Sequence, residues 1–317
     1  MHVPDGFINA SVSAATGVIS FGTLWAYIRS ASSLIADKFI ALTGMMTALI
    51  FVLQMINFPV AAGTSGHLLG GALAVIVLGP RLGLICLSVV VIIQSLLFAD
   101  GGLSALGINV MNMAIVTSVT AWVVVKYWIK FIGKTSSSLI IVSVLSGIVS
   151  VVFSSIAFMV QYILGGTISI PVGTVLIAMI SVHFLIGLGE GVITALIVGL
   201  LIRVRPDLIY AYDREDKNTR AVSFYGLFIM LILLLSLITP FASSSPDGLE
   251  SVAEEFGFQE TDGIVLLLED YGISTINNNF VSTFLSALLG IASIAIITAM
   301  FMKLSLIHIS EPTRPRE

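Results

Sequence analysis

The chain opens Met1-His2, and a second histidine, His67, follows the small polar stretch Gly63-Thr64-Ser65-Gly66. A free α-amine, the deprotonated backbone nitrogen of residue 2 and the Nδ1 atom of His2 can close two fused chelate rings around one metal ion. That supplies three coplanar nitrogens. The next residues offer no fourth, because Val3 leads into Pro4 and a proline has no amide N–H. A distant neutral imidazole would complete the set, and His67 is the best placed of the chain's 4 histidines. All-nitrogen square-planar ligation suits Ni(II), Cu(II) or low-spin Co(II) better than Zn(II) or Mg(II).

Each histidine has a bland reading as well. A histidine at position 2 is commonplace, and His67 alone reads equally well as a polar residue packed among small neighbours. Depth in a membrane is what joins them. The 317 residues are 57% hydrophobic and 10% charged, with a mean hydropathy of +1.08, which excludes an ordinary soluble domain and places the chain in a bilayer. Residues Met1 to Phe7 carry no basic n-region, so a removable signal peptide is not expected and the mature chain is expected to start at Met1. A retained formyl group would block the amine. The lone Cys86 sits in an apolar run, where it reads as a small core residue.

Apolar runs of membrane-crossing length fall at about 8–28, 39–57, 82–98, 105–125, 139–164, 172–202, 221–241 and 279–302, with a shorter ninth at about 68–78. If all nine cross and the amino terminus lies outside, all 14 Lys and Arg face the cytoplasm. Omitting the short span would invert half of that assignment. Gly79-Pro80-Arg81 then marks a tight cytoplasmic turn, and about 13 residues of helix place His67 roughly 20 Å above it, within the outer half of the bilayer. The preceding residues 57–66 are poor helix formers. Non-helical backbone at that depth must be buried by protein or line a cavity, so a re-entrant segment is expected.

Composition changes near Ile202. A charged stretch, 203–220, reads as a cytoplasmic linker, and 221–303 as two spans flanking an outer loop, 242–278, that carries eight acidic residues and neither Lys nor Arg. Such a loop can attract cations, with Asp247 and Glu250 as its candidate loading residues, or be simply solvated. Thr64, Ser65, Asn109, Asn112, His183 and Glu190 are polar positions in or beside apolar runs. They are candidates to orient the imidazoles by hydrogen bonding, with Asn109 and Asn112 on one helical face and His183 and Glu190 on another. Interhelical hydrogen bonds are the plainer reading, preferred for Gln94. Asp5 and Asp100 read as turn residues beside Gly6 and Gly101, or as lining of the metal's path inward.

Met1-His2-Val3-Pro4-Asp5-Gly6-Phe7, Gln54 to Val60, Gly63 to Gly71, Phe98-Ala99-Asp100-Gly101-Gly102 with Gly107 and Asn109, and His183 to Glu190 resemble the CbiM/NikM family over residues 1–202. These are membrane substrate-binding components of cobalt and nickel energy-coupling-factor transporters. The resemblance implies seven spans and a metal held by the Met1 amine, the His2 backbone nitrogen and the rings of His2 and His67. It also implies a transmembrane coupling subunit and paired cytoplasmic ATPases as partners. Ser245-Pro246-Asp247-Gly248-Leu249-Glu250 resembles the small CbiN/NikN or PDGLE-type component, so the chain looks like a fusion of the two. The expectation is an all-α integral membrane protein, a seven-helix bundle plus a two-helix hairpin, with the carboxyl terminus cytoplasmic and the metal as cargo rather than cofactor.

Leu304 to Arg314 resembles the conceptual translation of a transposase sequencing adapter, so 304–317 is set aside, His308 included. No GxxxxGK[ST] loop, HExxH motif or Cys cluster is present, which argues against intrinsic nucleotide hydrolysis, metalloenzyme chemistry and nucleic-acid binding. A stand-alone permease and a membrane metal sensor remain the rival readings. The sequence does not separate cobalt from nickel.

Overall fold

The computed structural model describes the chain except for residues 32–36, 62, 169, 213–220, 256–267, 269–270 and 310–317. Arg214, Lys217 and Arg220 of the linker and Glu260, Asp262, Glu269 and Asp270 of the acidic loop lie outside the described residues. The architecture is all-α apart from one small hairpin. Helices α1 (Ala10–Ala31) and α2 (Asp37–Gln54) lead to strands β1 (Phe58–Pro59) and β2 (Ser65–Gly66). Then come α3 (Gly71–Leu97), α4 (Leu106–Asn109), a π-helical segment (Val110–Val116), α5 (Thr117–Ile132), α6 (Ser136–Gly165) and α7 (Val172–Val204). The rear of the chain forms α8 (Ala221–Ser236), α9 (Gly248–Glu255) and α10 (Asn279–Ile309). Among the described residues, six helices are long and apolar enough to cross a membrane, with α4, the π segment and α5 counted as one. The end of α10 enters the stretch set aside as a tail.

The apolar runs become helices because hydrocarbon offers no partner for a free backbone polar group. Side chains such as Val18, Ile19, Phe21 and Trp25 of α1 stay exposed on the outside of the bundle, where lipid is the solvent. Helix contacts rely on small residues. A Cβ on Gly147 of α6 would lie 2.7 Å from the Cα of Gly191 on α7, so the two backbones touch there.

The short apolar run forms the first arm of α3, which is broken at Gly79 (φ 80°, ψ 171°) ahead of Pro80. A Cβ on Gly83 would lie 3.0 Å from the carbonyl oxygen of Ala74, whereas in an unbroken helix those residues would be roughly 13 Å apart. The two arms therefore double back on each other. Glycine is required at the tip, because its φ is positive and the Tyr210 ring lies 2.9 Å from where a Cβ would sit. Residues after α7 dock here: Tyr210 N–H donates to Val77 O and Ala211 N–H to Ile76 O, both at 3.1 Å. Arg81 follows this tip, Lys130 lies in the last turn of α5 and Arg203 in the last turn of α7, and the start of α6 joins the same docked segment through Ser136 and Tyr212.

Candidate metal centre

The opposite end is closed by three non-helical segments. The first is the amino terminus, which dips into the bundle. Val3 and Phe7 are fully buried and Met1 is 2% exposed. Asn109 grips the main chain on both sides, its Oδ1 accepting the Val3 N–H at 2.8 Å and its Nδ2 donating to Val3 O at 3.2 Å. Gly102 N–H also donates to Val3 O, at 2.9 Å. The Asp5 carboxylate accepts the N–H groups of Leu103 and Ser104, and the Ser154 hydroxyl donates to the Met1 sulfur at 3.3 Å.

The second segment is the hairpin that carries His67. Phe58 pairs with Gly66 and Pro59 with Ser65, and the chain leaves β2 directly into His67. Within the turn, Val60 N–H donates to Thr64 O at 3.0 Å and Thr64 N–H to Ala61 O at 2.8 Å. His67 Nδ1 lies 3.0 Å from its neighbour's carbonyl, Leu68 O. A carbonyl only accepts, so the proton sits on Nδ1 and Nε2 presents its lone pair. That atom is 3.4 Å from the Met1 nitrogen. The His2 ring stacks on the His67 ring with centroids 5.2 Å apart.

The third segment comes from the rear of the chain. Ser65 N–H donates to Pro246 O at 2.8 Å and Ser243 N–H to Asn57 O at 2.8 Å, while the Ser65 hydroxyl donates to Ser245 O at 2.6 Å. Residues 243–247 are thus tied to the hairpin at both ends, through Asn57 and through Ser65. Asp247 then divides its carboxylate. Oδ1 accepts the N–H groups of Leu249 and Glu250, at 2.7 and 2.9 Å, and Glu250 returns a bond by accepting the Asp247 N–H at 3.1 Å. This reciprocal capping box gives Pro246-Asp247-Gly248-Leu249-Glu250 a local physical meaning as the start of α9. Oδ2 pairs with the Met1 amine.

The three segments enclose a cavity of about 580 Å³ lined by His2, His67, Asp100, Asp247, Glu250 and Glu254, among others. Ala99, at φ 54°, turns the chain so that Asp100 reaches His2. Its Oδ1 lies 2.8 Å from His2 Nδ1. Burial works to raise the Asp100 carboxyl, but the charge and hydrogen bond of His2 outweigh it and bring the value down to about 2. Burial opposes ionisation of Asp247 as well, yet the Met1 amine holds that carboxyl below the usual range. Glu250 is held above its usual range by burial. Among the described residues no three His, Cys, Asp or Glu side chains converge to hold a metal on their own.

The other sequence candidates separate by what they touch. Thr64 donates to Ala61 O at 2.6 Å and so closes the hairpin turn. Asn112 forms a reciprocal amide pair with Gln161, at 2.8 and 2.9 Å. Asn109 and Asn112 take different partners, Val3 and Gln161, and a π-helical segment begins between them. His183 Nδ1 faces Met179 O at 2.8 Å, and Glu190 accepts backbone N–H groups. Of the six, none hydrogen-bonds to either imidazole. Gln94, read from sequence as an interhelical bond, instead places its Oε1 at 3.3 Å from His2 Nε2. Its signal was proximity in sequence to the Phe98 to Gly102 turn.

Fold and site together define a multi-pass helical membrane protein whose own amino terminus completes a nitrogen-lined pocket. Residues 2–208 match the family described as cobalt uptake substrate-specific transmembrane region, CbiM, and residues 221–306 match the PDGLE domain. The chain belongs to the CbiM family and carries a PDGLE domain fused behind it. It is 33% identical over 274 residues to a putative fused nickel transport protein NikMN of Archaeoglobus fulgidus, covering 86% of this chain and 88% of that protein. It is 26% identical over 284 residues to a cobalt transport protein CbiM of Geobacter sulfurreducens, covering 84% and 81%. A crystal structure of a truncated transition metal transporter superposes with a TM-score of 0.57 at 25% identity, over 64% of this chain and 99% of that one.

Proposed function

We propose that this chain is the substrate-specific component of a Co(II) or Ni(II) uptake system. The ligands are the Met1 amine, the His2 backbone nitrogen, the His2 ring and the His67 ring. The observation that carries this reading is the placement of the Met1 nitrogen 3.4 Å from His67 Nε2, with the His2 ring stacked alongside. Two carboxylates support it. Asp247 holds the amine and Asp100 holds His2 Nδ1, so an incoming cation exchanges these contacts for bonds to nitrogen while both negative charges stay beside it. Asp247 is thereby the loading residue of the PDGLE segment, and Glu250 serves it by capping α9.

The amino terminus and the cavity face the outside, and the basic end faces the cytoplasm, in keeping with charge asymmetry. Energy comes from a transmembrane coupling subunit and paired ATPases docking at that basic end; the chain itself catalyses nothing. The test is titration of the purified chain with Ni(II) and Co(II), together with uptake in cells with and without the ATPases. Tight binding that His67→Ala weakens by more than about 100-fold, and uptake that stops without the ATPases, is expected. Near-normal affinity in His67→Ala overturns the site, and uptake without the ATPases overturns the partnership.

A further inference from the structure

The position of His67 depends on the peptide units that follow it, and these are held from outside the hairpin. Glu190 of α7 is fully buried. Its Oε2 accepts the Leu69 N–H at 2.7 Å and the Gly70 N–H at 3.2 Å, and the N–H groups of Gly71 and Ala72 at the start of α3 lie against the same carboxyl. From the other side Gln54 of α2 donates its Nε2 to Leu69 O at 2.8 Å. Both polar backbone groups of Leu69 are thus taken by side chains of two different helices. The preceding residue supplies Leu68 O, which accepts the His67 Nδ1–H at 3.0 Å and leaves Nε2 facing the Met1 nitrogen. On the near side of His67, a Cβ on Gly66 would lie 2.4 Å from Ile186 Cγ1, so β2 rests directly on α7. Ile186 and Glu190, one helical turn apart, brace the chain before and after the histidine.

We propose that Glu190 is a positioning residue for the metal centre, acting on His67 through the main chain of residues 68–70 rather than on its ring, with Gln54 as its counterpart. This rests on the assignment of His67 as a ligand. A carboxylate at the amino end of a helix also steadies that helix, and a purely structural role of that kind would lower stability without changing which nitrogens reach the metal.

The experiment titrates the full purified chain with Ni(II) alone and records the visible absorption band of the bound metal, which reports its nitrogen donors. Glu190→Gln is expected to weaken binding about 10- to 100-fold and to move the band to that of His67→Ala. In a His67→Ala background it is expected to cost nothing further, because the ligand it positions is already gone. Wild-type affinity and band in Glu190→Gln, or losses that add in the double variant, overturn the proposal. Should Glu190→Gln fail to fold, Gln54→Leu carries the same test: a smaller loss with the same band shift and non-additivity supports it, and wild-type behaviour overturns it. A wild-type chain that binds no Ni(II) or Co(II) counts against the proposed function, not against this clamp.

Discussion

The two ends of the helical bundle are closed by opposite means. At the basic end, residues after α7 donate main-chain hydrogen bonds to the tip of α3 at Gly79, and no side-chain chemistry is needed. At the other end three non-helical segments meet around a cavity lined by two histidines and four carboxylates, one of which pairs with the Met1 amine. The difference shows what the bilayer imposes: irregular chain at depth survives either by being brief and self-paired or by being clamped from neighbouring helices, and only the clamped kind leaves donors free for a metal.

The sharpest way to break the comparison is to disable one end alone. His2→Ala, His67→Ala or one residue added before Met1 should lower Ni(II) and Co(II) affinity by more than about 100-fold, since each removes a ligand. Helical content and detergent monodispersity should stay unchanged. Isothermal titration checks the first claim and circular dichroism the second. Asp247→Asn should weaken metal binding by about tenfold, because a carboxylate hydrogen-bonded to a coordinating amine balances the cation's charge. Retained affinity in that variant would detach the rear segment from the site.

The inverse experiment strikes the basic end. Gly79→Ala forces a side chain into positive φ against the Tyr210 ring, and should cost about 1–3 kcal/mol in thermal unfolding while leaving metal affinity as it was. The smallest effect is that of pH on the metal-free chain. Asp100 has a value depressed to about 2 by His2. A depressed carboxylate contributes stability that is complete above its unfolded value near 4 and is lost as pH falls toward the folded one. Melting temperature should therefore decline below about pH 4, and Asp100→Asn should flatten that decline.

Much of the frame was legible because lipid enforces it. Apolar runs became helices, and the clustering of Lys and Arg singled out the short run whose tip is Gly79. What escaped was the partner of each polar group. Asp247 meets Met1 across 246 residues, a contact set by the hydrogen bonds that tie 243–247 to the hairpin, and no periodicity announces such pairing. Asn109 and Asn112 were placed together by counting α-helical turns, and the count did not reveal that one holds Val3 and the other Gln161. Glu190 was read as acting on a histidine ring and instead holds main chain. A sequence shows that a buried carboxylate needs donors; it does not show whether those are side chains or peptide groups.

The capping box of α9 shares one carboxylate with the Met1 amine, and both lie on a single polypeptide. The encounter between the rear segment and the amino terminus is therefore intramolecular, which raises its effective concentration above that of two separate chains. Cutting the chain between α7 and α8 would turn the same contact into an ordinary association between two membrane proteins, dependent on how many of each the bilayer holds. Fusion thus makes occupancy of the Met1–Asp247 contact independent of expression level.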